Sequence, residues 1–126
     1  MTDVERLEAS HSQYEAGRAH MAAGKLDEAV AAFRLSMEVE PHFKTLELLG
    51  ECHMRLGELT RAIVPLAAAT ALNRQSRAPA LLAEVFERLG QPTQAAEMAR
   101  IALERSADNQ RAKAVLDRLG RSDSAG

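Results

Sequence analysis

From about residue 10 to residue 119, apolar residues recur three and four positions apart in stretches of about a dozen residues, the period of amphipathic helices. The stretches come in pairs. Within each pair the break falls at Gly24, Gly57 or Gly90, spaced 33 residues apart, so the chain is a tandem repeat before it is anything else. The pattern predicts three helical hairpins, in repeats of about 10–42, 43–75 and 76–108, with Pro41 closing the first because proline cannot continue a helix. Residues 1–9, with Val4 and Leu7 three apart, extend the first helix, with Asp3 as its expected cap. Pro65 is expected to distort the first turns of the apolar helix over 60–73. Pro79 is tolerated in a first turn entered from Ser76, where its missing N–H has no intrahelical partner. A final helix over about 109–119, opening near Asp108 or Asn109 and stopping at Gly120, carries Ala112, Val115, Leu116 and Leu119 on one stripe and suits a cap on the stack. Residues 121–126 are expected to be a disordered tail, leaving 1–120 as one domain.

Other columns share the register. Small residues recur at Gly17, Gly50 and Ala83, at Ala29, Ala62 and Ala95, and at Ser36, Ala69 and Ala102; a bulkier column holds Phe33 and Leu66, with Ala99 third. Small side chains at helix crossings let paired backbones approach, and a large one would hold them apart. The turn glycines stand where a helix stops in a left-handed conformation. Asp27, Thr60 and Thr93, three residues on, are the expected N-caps of the second helices. One hairpin cannot bury its whole apolar stripe, so the copies must stack.

These columns resemble the tetratricopeptide repeat family. The first copy supplies Ala16, Gly17, His20, Gly24, Ala29, Phe33, Ser36 and Pro41. The second supplies Leu49, Gly50, His53, Gly57, Ala62, Leu66 and Ala69, with Arg74 in the proline position. The third supplies Leu82, Ala83, Phe86, Gly90, Ala95, Ala99 and Ala102, with Ala107 there. The resemblance covers about residues 10–107. It implies an all-α, right-handed α-solenoid of three antiparallel helix hairpins plus a C-terminal capping helix, with a concave groove lined by the first helix of each hairpin. By the same resemblance that groove carries His11, Tyr14, Arg18, Met21 and Ala22, then Lys44, Glu47, Glu51, Met54 and Arg55, then Arg77, Ala80, Glu84, Glu87 and Arg88. Tyr14, Met21 and Met54 form the expected apolar anchor, and Glu51 with Arg55 and Glu84 with Arg88 are expected i,i+4 pairs. Family members that grip the acidic tail of a chaperone use lysine, asparagine and arginine at places held here by Tyr14, Arg18, Leu48, Arg77 and Leu81. That clamp is largely missing, so a peptide or helix of mixed polar and apolar character fits better.

Composition narrows the function further. With 46% hydrophobic and 27% charged residues the chain can bury a core, and only 3% aromatic suits close packing through small side chains. The net charge of −2 is too small to imply a polyanionic partner by itself, and the interspersed charges provide no basic surface for nucleic acid. Residues 1–60 carry 6 basic and 11 acidic side chains and residues 61–126 carry 10 and 7, an asymmetry that head-to-tail association could use. The single cysteine, Cys52, excludes an internal disulfide and reads as a small buried side chain. No stretch reads as a signal peptide or membrane span, so the expected location is cytoplasmic.

Nothing in the sequence assembles a catalytic site or calls for a cofactor or metal. His20 and His53 occupy equivalent places and read as packing residues, since zinc requires three or four convergent ligands. Cys52 and His53 are neighbours on a helix, pointing about 100° apart, and make no nucleophile–base couple. The expected function is a non-enzymatic module that takes a peptide or helical segment of a partner protein in its groove. The alternative is a self-associating scaffold, a homo-oligomer using the apolar helix 60–73 or end-to-end contacts.

Overall fold

The computed structural model describes the backbone of residues 1–125 and the side chains of residues 1–121. Its elements are α1 (Asp3–Ala22), α2 (Leu26–Val39), α3 (Phe43–Arg55), α4 (Leu59–Leu72), α5 (Ala78–Arg88), α6 (Pro92–Arg105) and α7 (Gln110–Ala125), an all-α repeat solenoid. Within each hairpin the chain turns at its glycine. Gly24, Gly57 and Gly90 have φ of 76, 77 and 73°, a region that L side chains avoid. Each turn is closed by the same two bonds. Lys25, Glu58 and Gln91 donate N–H to the carbonyls of His20, His53 and Phe86 at 2.8, 2.8 and 2.9 Å, while the glycine N–H reaches Met21, Met54 and Glu87.

That geometry displaces the expected caps. The residue that closes each turn is also the residue from which the next helix starts, as the bonds from Ala29 to Lys25, Ala62 to Glu58 and Ala95 to Gln91 show. Asp27, Thr60 and Thr93 therefore lie inside the first turns of α2, α4 and α6, and none caps. Asp27 and Glu28 instead oppose the positive end of the α2 dipole. α1 is capped by Thr2 rather than Asp3: its hydroxyl accepts from Glu5 N–H at 3.1 Å and the Glu5 carboxylate accepts from Thr2 N–H at 3.3 Å. α4 runs unbroken through the buried Pro65. α7 does not stop at Gly120 but continues to Ala125, because glycine ends a helix only when it turns left-handed and Gly120 has no positive φ. The expected tail is thus helical over 121–125, and Gly126 lies outside the described residues.

Packing follows the columns. A Cβ on Gly17 would lie 2.5 Å from the Phe33 ring, and one on Gly50 would lie 2.5 Å from Leu66. In the third hairpin the crossing is between Ala83 and Ala99, both fully buried. Three core clusters result, and each draws on a hairpin plus the first helix of the next. Met21, Ala29, Phe33, Leu49 and Cys52 join α1, α2 and α3. Met54, Ala62, Leu66, Ala69, Leu82 and Val85 join α3, α4 and α5. Ala83, Ala95, Ala99, Ala102, Ala112 and Val115 join α5, α6 and α7. The polar substitution in a small column, Ser36, is satisfied by Ser10, whose carbonyl accepts from the Ser36 hydroxyl at 2.8 Å.

Three outcomes check this packing. Gly50→Ala should lower the denaturant midpoint by the equivalent of about 1–3 kcal/mol through overpacking, despite alanine's better helix propensity. Gly120→Ala, whose Cβ meets nothing within 4 Å, should be neutral or stabilising by up to about 1 kcal/mol. Equal midpoints for Gly50→Ala and wild type would mean the crossing is not tight. Deleting residues 109–126 should uncover the third cluster and lower the melting temperature, since burying one large side chain such as Val115 contributes about 1.5–3 kcal/mol. An unchanged melting temperature would remove the capping role of α7.

Candidate binding groove

The first helices α1, α3 and α5 bring part of the expected set together. A recess of 360 Å³ is lined by Leu7, Ser10, His11, Tyr14, Arg18, Ser36, Glu40, His42, Lys44 and Thr45. A second, of 440 Å³, shares Tyr14, Arg18 and Lys44 with it and adds Phe43, Glu47, Leu48, Gln75 and Arg77. Tyr14 lies between the two. Its ring is half-buried and tilted against Phe33 at 6.1 Å, His11 stacks beside it at 6.5 Å, and the Arg18 guanidinium lies 5.9 Å above it. Lys44 is exposed, and its ammonium has no ion-pair partner among the described residues.

Met21 and Met54 do not join this surface. They are 9% and 7% exposed and belong to the first and second core clusters, so the apolar anchor expected from Tyr14, Met21 and Met54 is corrected to Tyr14 with other partners. The reason is geometric. Both methionines lie in the last turn of their helices, next to the glycine turn, where α2 and α4 fold back over them. Ala80 is also buried, whereas Ala22 is exposed. What the sequence reading missed is Leu7, Ser10, Ser36, Glu40, His42, Phe43, Thr45 and Gln75, with Leu48 noted only as a lost clamp position. Part of the signal was present: Val4, Leu7, His11, Tyr14 and Arg18 are spaced by three and four, one stripe of α1 that passes without a break from the extension into the repeat.

Several charged residues of the expected groove are occupied by the fold itself. Glu47 is buried, and its carboxylate accepts from the Ser76 hydroxyl at 2.7 Å, the Arg77 N–H at 2.9 Å and Arg77 Nε at 3.4 Å, tying α3 to the entry of α5. Ser76 in turn accepts from Ala78 N–H at 3.0 Å, so it supports the start of α5 as expected of a cap, although Arg77 holds the cap position. Glu51 takes Arg55 at 3.2 Å, the expected pair, and also Arg77 at 3.6 Å. Glu84 does not pair with Arg88 but with Arg111 of α7 at 3.6 Å. Glu87 receives two 2.7 Å bonds from Arg118, and that guanidinium holds its carboxyl below the usual range. The capping helix thus occupies the acidic side chains of α5, and Arg88 remains exposed.

Cys52 and His53 are both held inside the fold. The Cys52 thiol is buried, and burial, with Glu51 adding to it, pushes its pKa up to about 11, unfavourable for a nucleophile. His53 is buried with Nδ1 3.0 Å from Glu58 Oε1, a packing role. Among the described residues no group of three or more His, Cys, Asp and Glu side chains is placed to hold a metal ion, and no helix is long and apolar enough to cross a membrane.

Comparison with known proteins adds a family and a fold. The tetratricopeptide repeat family model matches residues 14–79. No curated protein sequence matches the chain. Among solved structures, the Arabidopsis OM64 TPR domain superposes with a TM-score of 0.88 at 20% identity, covering 93% of this chain and 98% of that one. The first TPR of Spaghetti (RPAP3), bound to the HSP90 peptide SRMEEVD, gives 0.88 at 20% identity, covering 94% and 95%. The Yersinia enterocolitica type III secretion chaperone SycD, in complex with a peptide of the translocator YopD, gives 0.76 at 20% identity, covering 91% and 89%. At these identities the likeness establishes the fold.

The Glu87–Arg118 tie has a pH signature. A carboxyl whose folded pKa is depressed adds stability that is present above its unfolded value, about 4.3, and is lost as pH falls through the folded value. Arg118→Gln should therefore melt below wild type at neutral pH, with the gap closing as the pH drops below about 4. A gap that persists in acid would show that Arg118 acts through packing rather than charge.

Proposed function

Because the chain belongs to the tetratricopeptide repeat family, we propose that it is a non-enzymatic protein-interaction module that takes a peptide or helical segment of a partner in the groove between α1 and α3. The observation that carries this reading is the pair of adjoining recesses sharing Tyr14, Arg18 and Lys44, where an aromatic platform lies beside Lys44, a cation with no ion-pair partner among the described residues. Leu7, Phe43 and Leu48 supply apolar surface; His11, Arg18, His42 and Lys44 supply polar and charged tips, a mixture suited to a segment with alternating apolar and polar anchors. The positions Glu51, Arg55, Arg77, Glu84, Glu87 and Arg88 line the rest of the proposed surface as largely self-neutralised rims that set orientation more than affinity. An acidic chaperone tail fits poorly: of the five clamp places Leu81 is 1% exposed and Arg77 is already held by Glu47 and Glu51. The same mixture disfavours nucleic acid and membrane surfaces as partners, and the free Cys52 accords with a reducing, cytoplasmic compartment.

Affinity capture from the source organism, read by mass spectrometry, tests the groove. The double variant Leu7→Glu and Lys44→Glu, both at exposed positions, should keep wild-type melting and lose at least about tenfold of the partner recovered, as hot-spot losses of 2 kcal/mol or more imply. Glu97→Ala, on exposed α6 surface, should leave recovery intact. Undiminished capture by the double variant would move the binding surface elsewhere.

A further inference from the structure

A third recess, of 440 Å³, lies at the far end of the solenoid from the α1–α3 groove. It runs between α6 and α7 and is lined by Pro92, Ala96, Arg100, Leu116 and Leu119 together with Thr93 and Gly120. This is the open edge of the array, where a further repeat helix would pack. Two features decide what it admits. Leu116 stands 33 residues after Ala83, so a leucine takes the column that holds Gly17, Gly50 and Ala83, and a helix packed there as α2 packs on α1 would need a small residue where Phe33 stands. Arg100 is exposed, and neither it nor Lys113, one turn before Leu116 on the same face, has an ion-pair partner among the described residues. Nearby Glu97 is exposed, and Asp117 is paired with Arg121.

The opposite edge carries the complementary surface. Val4 and Leu7, in the first two turns of α1, are 64% and 56% exposed. Around them lie Asp3, Glu5 and Glu8, and the cation among them, Arg6, is turned onto the Val39 carbonyl at 3.0 Å. Asp3 and Glu8 have no ion-pair partner among the described residues. An acidic helix tip with two exposed apolar side chains therefore stands at one end of the array, and a recess of mixed apolar and polar lining, with Arg100 in it and Lys113 one turn before Leu116, lies at the other.

We propose that the α6–α7 recess receives the first turns of α1 from a second copy of this chain, giving head-to-tail assembly that shares Leu7 with the rim of the α1–α3 groove and does not involve its Tyr14, Arg18 and Lys44. Val4 and Leu7 enter against Leu116 and Leu119, while Asp3 and Glu8 meet Arg100 and Lys113. Such a contact joins two different patches, so each added copy presents a fresh recess and growth does not close at a dimer. The contact is small and belongs to the weak class, with charge supplying much of its selectivity.

Light scattering of the full chain from micromolar to millimolar concentration tests it. In low salt the average mass should at least double over the range without levelling at a dimer, and high salt should return it to monomer. Glu8→Arg and Arg100→Glu should each stay monomeric alone, and their equimolar mixture should regain the wild-type mass, because the mixture restores opposite charges at every contact. Lys44→Glu should assemble as wild type does, which separates this contact from the partner groove. A wild-type chain monomeric at every concentration, or either charge variant assembling alone, would overturn the proposal. A plateau at a dimer would also overturn it and point instead to a symmetric contact through the exposed Val64 and Leu72 of α4.

Discussion

The distance between the two helices of a hairpin is set at one crossing, and the rest of the structure depends on it. Where Gly17 faces Phe33 and Gly50 faces Leu66, the missing Cβ is the space that the large side chain fills. In the third hairpin Ala83 and Ala99 divide that space evenly, so the same register is kept by a different split of volume. Interiors packed this closely do not absorb an extra methylene without displacement. The glycine turns then fix direction, since two of the carbonyls left at the end of each first helix are taken by the two bonds that send the chain back. The core clusters are shared between one hairpin and the next, so no repeat completes its own interior and the stack is obligatory.

Charge on the first helices is divided between side chains tied into the array and side chains with no ion pair among the described residues. Glu47 organises the approach of α5, and Glu84 and Glu87 fasten α7. A carboxylate saturated by neighbours offers little to a ligand, because binding must replace bonds already made. In the N-terminal half Tyr14 is half-buried and Lys44 has no ion-pair partner among the described residues. This explains why equivalent columns in successive repeats do not have equivalent roles: His11, Lys44 and Arg77 share a register, yet Arg77 is held by Glu47 and Glu51 while Lys44 is not.

The sequence by itself determined the repeat, its 33-residue period, the positions of the turns and the small-to-large columns, because each rests on local constraints. Positive φ demands glycine, and a close crossing demands a missing side chain, whatever the neighbours. The lining of the α1–α3 recesses was legible for His11, Tyr14, Arg18 and Lys44 by column. The column failed for Met21 and Met54, since whether the last turn of a helix faces solvent depends on how far the following helix folds back over it. Cap assignment failed at Asp27, Thr60 and Thr93 for a related reason: the turn and the next helix share a residue, which no count of residue types reveals. Only the tertiary structure decided which charges were left free, because that depends on partners about 30 residues away, such as Arg77 for Glu47 and Arg118 for Glu87. Local propensity acts over a few residues; burial and charge pairing are properties of the stacked array.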